Sequence, residues 1–266
     1  MARQKIILFS DLHIDRWDWE RTERFQEFLR FVELEAAEVF ILGDIFDFPA
    51  LRGENIWPKH RDLINAIRRL PKKGVSLTYI IGNHDVSLRG IEIEQKRFTM
   101  TYRDRRRPFL KTVFGQELYM EHGHDYDPLF QSSIYDAVDF LKAVTGKAVD
   151  VMTLDFLKDL KRLMQDRPTK KDAGLPLKHE EAEVGVPERF LKIWESAAEQ
   201  ILKRMRCNIV FFGHTHAPGI TRMESKGQYY VNTGDWYTHS TFVEMTPKTL
   251  KLRDWLTDAQ LDKIKF

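Results

Sequence analysis

Five times along this chain a short apolar run stops abruptly at residues able to bind a cation. KIILF (5–9) leads into SDLH, EVFIL (38–42) into GDIFD, LTYII (77–81) into GNHD, ELYME (117–121) into HGHD, and NIVFF (208–212) into GHTH. Runs of four or five residues rich in Ile, Val, Phe and Tyr have the length and composition of buried strands. Between them the apolar period changes. Phe25, Phe28, Leu29, Val32 and Ala36 recur at helical spacing, as do Leu63, Ile64, Ile67 and Leu70, with Gly74 placed to end the second helix. Strands alternating with helices predict an α/β fold, in which ligands collect just beyond the carboxyl ends of the strands.

Towards the C-terminus the texture shifts: QYYVN, STFVEM and TLKLRDW read as strands joined by short turns, a meander without helices. Residues 128–206 are different again, with SIYDAVDFLKAV, TLDFLKDLKRLM and PERFLKIWESAAEQILKRM helical and amphipathic. They are expected to form a helical insertion within a single domain spanning 1–266. It either folds as a lid over the strand ends or covers one face of the sheet. A chain of 266 residues can bury an ample core of its own.

A net charge of +2 offers nothing to a long polyanion, and the basic runs RDRRR (103–107) and RRLPKK (68–73) read as solvated faces. Cys207 is the only cysteine, so no internal disulfide can form. A reducing, cytoplasmic setting is expected, with Cys207 a small buried hydrophobe. No run approaches the ~18 apolar residues of a membrane span, which leaves peripheral contact with the inner membrane surface open. Oligomeric state is open too.

The strand ends deliver Asp11, His13, Asp44, Asn83, His122, His214 and His216. Of nine histidines, six fall in these clusters once His84 and His124 are counted; the others are His60, His179 and His239. One Asp-x-His after a strand is more often a cap, and one GNHD is as often a turn. Five such segments in fixed order reverse both readings. Seven donors exceed the four of a tetrahedral zinc. Nitrogen, carboxylate and amide oxygen without thiolate suit two divalent ions, manganese first, with iron or zinc as alternatives. Such a pair lowers the pKa of a shared water towards ~7, so that a bridging hydroxide can attack a phosphorus centre in line.

SDLH, GDIFD, GNHD, EHGH and GHTH together resemble the calcineurin-like metallophosphoesterase family, over roughly residues 5–125 and 207–250. The resemblance implies a four-layer αββα sandwich holding two ions. One would sit on Asp11, His13, Asp44 and His216, the other on Asp44, Asn83, His122 and His214, with Asp44 shared. It implies cleavage of a phosphodiester or pyrophosphate bond without a phosphoenzyme. His84 is the expected proton donor to the leaving oxygen or stabiliser of the phosphoryl charge, and Asp47 the carboxylate that fixes its tautomer. His124 and Asp125 are expected to touch substrate.

Phe48 and Pro49 after Asp47 depart from the protein serine/threonine phosphatases, and Asp47 stands where purple acid phosphatases need tyrosine. The segment order and NIWPKHRDLINAIRRL look similar to the UDP-2,3-diacylglucosamine pyrophosphatases, one branch of which carries arginine in place of His84. That likeness implies a lipid-nucleotide substrate. Two other readings stand beside it: a nuclease or nucleic-acid phosphodiesterase, and a non-catalytic metal-binding scaffold. Against the scaffold, no ligand is missing.

Overall fold

The computed structural model describes residues 3–46, 57–85, 88, 90–127 and 188–266. The first half runs β1 (Lys5–Phe9), α1 (Trp19–Glu35), β2 (Ala36–Leu42), α2 (Trp57–Arg69), β3 (Ser76–Ile81), β4 (Ile93–Gln95) and β5 (Phe98–Tyr102). There follow β6 (Phe109–Val113), β7 (Gln116–Met120), α3 (Glu188–Met205), β8 (Ile209–Phe212), β9 (Gly219–Arg222) and β10 (Tyr229–Asn232). The chain ends in β11 (Thr241–Met245), β12 (Thr249–Asp254) and β13 (Gln260–Lys265).

Among the described residues these strands form two sheets, ordered β13-β12-β11-β1-β2-β3-β5-β4 and β6-β7-β8-β10-β9. Alternation along each central strand divides its side chains between two cores. Ile7 and Phe9 of β1 face α1 and α2, whereas Ile6 and Leu8 pack with Phe40, Leu42, Met120 and Phe211 between the sheets. In β8, Ile209 and Phe211 join that central layer, while Val210 and Phe212 face Trp194, Ala197, Ala198 and Ile201 of α3. The result is the expected four-layer αββα sandwich.

Asp18 caps α1 by accepting the Arg21 N–H at 2.8 Å. Ala36, expected on that helix, is instead the first residue of β2, with φ −87° and ψ 135°. It is fully buried in the strand, and burial on a helix face would leave the same apolar signature. Gly74, at φ 89°, ends a single 3₁₀ turn over Pro71–Lys73 rather than α2 itself.

QYYVN does not belong to the C-terminal meander. β10 lies in the second sheet, parallel to β8 and antiparallel to β9, and only β11, β12 and β13 form the meander beside β1. A strand's own pattern specifies its faces, not its sheet. RDRRR links β5 in one sheet to β6 in the other. Within 128–206, α3 covers the outer face of the second sheet; 128–187 lie outside the described residues. Cys207 is buried at the edge of that core, and burial pushes its thiol up to about 11. Among the described residues no helix is long and apolar enough to cross a membrane.

Phe28 joins the helical layer to the sheet. Its ring centroid lies 5.4 Å from Phe9, 4.5 Å from Trp236, 5.0 Å from Phe242 and 5.3 Å from Trp255. Phe28→Ala is expected to cost about 3–5 kcal/mol in urea unfolding. A loss below about 1 kcal/mol would mean that this cluster does not fasten α1 to the sheet.

Candidate metal centre

Strands from both sheets end at one place. Asp11, Asp44 and Asn83 follow β1, β2 and β3, while His122, His214 and His216 follow β7 and β8. Asp11, His13, Asp44, His214 and His216 all have positive φ, between 46° and 65°. They make up five of the nine such non-glycine residues among those described, so left-handed backbone is concentrated here. Each costs about 1–2 kcal/mol, and such strain persists only where the surroundings enforce it.

Interlocking hydrogen bonds do so. Asp44 O accepts the N–H groups of Leu12 at 2.8 Å and His13 at 3.1 Å. Asp44 Oδ1 accepts the His84 N–H at 2.9 Å, and Asp11 Oδ2 accepts that of His214 at 3.0 Å. Gly82 is required by close approach: a Cβ there would lie 2.7 Å from the Asp44 nitrogen and nearer still to its carboxylate.

Two groups of donor atoms result. Asp11, His13 and His216 bring ligand atoms within 4.8 Å of one another, and so do Asp44, His122 and His214. Asn83 Oδ1 joins the second, 3.0 Å from both His122 Nε2 and His214 Nδ1. Asp44 Oδ2 lies 3.1 Å from His122 Nε2, and Asp11 Oδ1 lies 3.2 Å from His216 Nε2.

The far side of each ring in the second group is occupied. His122 Nδ1 donates to Leu42 O at 2.6 Å, and His214 Nε2 donates to Asp127 Oδ2 at 2.9 Å. Each bond directs the remaining nitrogen at the shared space, where its lone pair would serve a bound cation. His13 is 1% exposed, and neither ring nitrogen has a hydrogen-bond partner among the described residues. A buried orphan imidazole is costly in a finished core but correct for a ligand, so the donor set fits two divalent cations.

The charges agree. Burial would raise Asp44, but His122 and then His13 hold its carboxyl well below the usual range. Burial would lower His122, yet Asp44 and Asp11 push it up to about 10. His13 goes the other way: burial lowers it against the pull of Asp44 and Asp11. Without metal, then, one imidazole carries the counter-charge while another offers a free lone pair.

The remaining expected residues are placed as follows. The His84 ring stands edge-on to His13, with centroids 4.9 Å apart. Asp47 lies outside the described residues. His124 is buried beside His122 and His214 at centroid distances of 5.6 and 6.4 Å, and Tyr102 Oη is 3.4 Å from its Nε2. Asp125 accepts the Arg105 N–H at 3.1 Å, which ties the arginine-rich turn to this rim.

Three supports went unread in the sequence. Asp85 is fully buried and accepts the Ile45 and Phe46 N–H groups at 3.0 and 2.9 Å, which fixes the GDIFD loop. Burial and the nearby Asp44 raise its carboxyl to about 7. Asn232 Nδ2 donates to Gly213 O at 2.7 Å and to Thr215 Oγ1 at 3.0 Å, holding the GHTH turn. Ser10 Oγ sits between Asp11 Oδ2 and Thr233 Oγ1. Asp85 could have been found as the last residue of GNHD and Ser10 as the first of SDLH; Asn232 comes from a segment with no metal pattern.

A model of the calcineurin-like phosphoesterase family matches residues 4–218. A protein of Aeromonas salmonicida named UDP-2,3-diacylglucosamine hydrolase is 22% identical over 92% of this chain and 91% of its own length. One of the same name from Salmonella arizonae is 24% identical over 92% and 97%. Among solved structures, a dimetal phosphatase from Danio rerio is similar with a TM-score of 0.53 at 11% identity, covering 100% of this chain and 99% of that one. At that identity the likeness shows the fold alone.

Two outcomes follow from the geometry. His122, raised from its ordinary 6.5 to about 10, stabilises the chelator-treated protein fully below pH 6.5 and loses that contribution as pH rises towards 10. A bound cation must displace that proton, so manganese affinity should increase across the same window. Calorimetry in buffers of different ionisation enthalpy reads the released proton; no release would contradict the assignment. Asp127→Asn should weaken metal binding about 10–100-fold with an unchanged melting temperature in chelator. Unaltered affinity would remove Asp127 from the centre.

Proposed function

We propose that this chain, which belongs to the calcineurin-like phosphoesterase family, hydrolyses a phosphodiester or pyrophosphate bond at a centre of two divalent ions. Membership makes it a metal-dependent phosphoesterase; the paired ions and the substrate are the further steps. The reading rests above all on the two adjacent groups of buried donors, one carrying the orphan ring of His13. Asp11, His13, Asp44 and His216 would hold one ion, and Asp44, Asn83, His122 and His214 the other. When bound, such cations, with manganese preferred over iron or zinc, lower the pKa of water towards ~7 and neutralise phosphoryl oxygens.

The chain's own residues do the rest. Leu42 O and Asp127 keep the His122 and His214 rings turned the right way. Asp85 and the bonds to Asp44 O hold the carboxylate loop against its strain. His84 is anchored at Asp44 by its own N–H, which places its ring beside His13 and within reach of a leaving oxygen. Asp47, three residues beyond Asp44, is the proposed partner for that ring.

A lipid-linked nucleotide sugar is the preferred substrate class. The relatives named for UDP-2,3-diacylglucosamine match along nearly their whole length. Such a substrate would bring a cytoplasmic protein to the inner membrane surface. Asp125 at the rim and His124, buried beside His122, are the proposed substrate contacts. A nuclease is the second reading, favoured by one feature, the arginine-rich turn tied to Asp125.

The test is a manganese-supplemented panel of bis-p-nitrophenyl phosphate, p-nitrophenyl phosphate, a UDP-acyl sugar and single-stranded DNA. Turnover of the UDP-acyl sugar above all others is expected; cleavage of DNA alone would favour the nuclease, and activity on none would contradict the proposal. His84→Ala should reduce turnover about 10²–10⁴-fold with metal content intact. Equal loss of both would make His84 structural.

A further inference from the structure

RDRRR (103–107) holds four positive charges and one negative, whereas the whole chain nets only +2. Strand register gives its place in the fold. Phe109, the first residue of β6, pairs with Met120, the last of β7, and β7 leads directly to His122. The arginine-rich turn therefore lies at the same end of the sheet as the donor groups, next to its edge strand.

The backbone of this turn is fixed, and its arginine side chains are left over. Asp104 Oδ1 accepts the N–H groups of Arg106 and Arg107, both at 2.9 Å, and Asp125 Oδ2 accepts that of Arg105 at 3.1 Å. Both nearby carboxylates are thus drawn against the main chain. Arg105, Arg106 and Arg107 are exposed, and among the described residues their guanidinium groups have no hydrogen bond or ion pair. Leu110, at the base of the turn, is 49% exposed.

The other basic run, RRLPKK (68–73), is partly neutralised within the fold. It precedes β3, at the opposite, amino end of the sheet. Arg69 and Lys73 approach Glu33 at 3.9 and 3.4 Å, while Lys73 O and Gly74 O accept from Arg3 and Arg97 at 3.1 and 2.6 Å.

Arginine keeps its charge at any working pH, and its planar fork matches phosphate oxygens. Three such groups on one fixed turn, with an aliphatic side chain exposed beside them, suit a surface that is anionic outside and hydrocarbon beneath. A nucleic acid strand asks for a charged track and for aromatic rings on which its bases stack. Here the positive charge is confined to one turn.

We propose that Arg105, Arg106 and Arg107 dock the rim of the metal centre on an anionic lipid surface, pairing with headgroup phosphates while Leu110 meets the hydrocarbon boundary. The inference rests on the lipid-linked substrate reading above. Seated in this way, the centre is brought to the layer that holds such a substrate. Asp125, three residues beyond His122, ties the seat to the ligand turn.

The test is co-sedimentation of manganese-reconstituted protein, freed of excess metal, with vesicles of equal parts phosphatidylcholine and phosphatidylglycerol. Binding is expected there, weakening with salt, and not on pure phosphatidylcholine. The variant Arg105→Gln/Arg106→Gln/Arg107→Gln should bind these vesicles about 100-fold more weakly, and a fall of less than about tenfold would overturn the inference. Its metal content, melting temperature and turnover of soluble bis-p-nitrophenyl phosphate should be unchanged. Lost turnover of that diester would make the arginines substrate contacts and overturn the docking role. Arg68→Gln/Lys72→Gln/Lys96→Gln removes the same charge from the amino end and should bind as wild type does. A deficit shared by both variants would reduce the attraction to overall charge and overturn the inference. So would binding indifferent to phosphatidylglycerol, or single-stranded DNA held through these arginines while vesicles are ignored. If vesicles are bound but nothing is hydrolysed, the function above fails and the docking surface stands. If the UDP-acyl sugar is hydrolysed but no vesicle is bound, only this inference fails.

Discussion

Asp11 and Asp44 are carboxylates at most 1% exposed, set at the ends of neighbouring parallel strands. Among the described residues no lysine or arginine pairs with either; their ionic partners are His122 and His216. Burying two such charges costs several kcal/mol each unless positive charge is brought to them. The site is therefore an electrostatic demand built into the fold. A proton on His122 meets part of it, and a pair of cations would meet it fully. The left-handed backbone, the glycine beneath Asp44 and the stitched turns all serve to hold the demand in place.

The two sheets share the work of positioning. One supplies Asp11, His13, Asp44 and Asn83, the other His122, His214 and His216. Each donor group draws on both sheets, so the distances within it are set by the layer of Leu8, Leu42, Met120 and Phe211 packed between them. Close-packed interiors have little give, so this apolar layer fixes distances that no single loop could. Chemistry at the rim depends on hydrocarbon some way behind it.

Much of this was legible in the chain. Each apolar run that stopped at a ligand-bearing turn became a central strand, since a buried strand needs only a short stretch of β-branched and aromatic residues. The family's motif order carried the layer architecture with it. What stayed hidden was long-range or local to backbone. Nothing in QYYVN says which sheet it joins, and Ala36 is equally buried as a helix end or a strand start. Asn232 and Thr233 hold the site from a segment with no metal pattern. Hydrogen bonds that support a site join residues far apart in sequence, so composition and period do not register them.

The most direct test of the account is to locate the cations. Anomalous scattering from crystals of the manganese-reconstituted protein should show two peaks about 3.5–4 Å apart. One should touch Asp11, His13 and His216, and the other Asn83, His122 and His214, with Asp44 between them. A single peak, or two that leave the His13 ring unliganded, would contradict it.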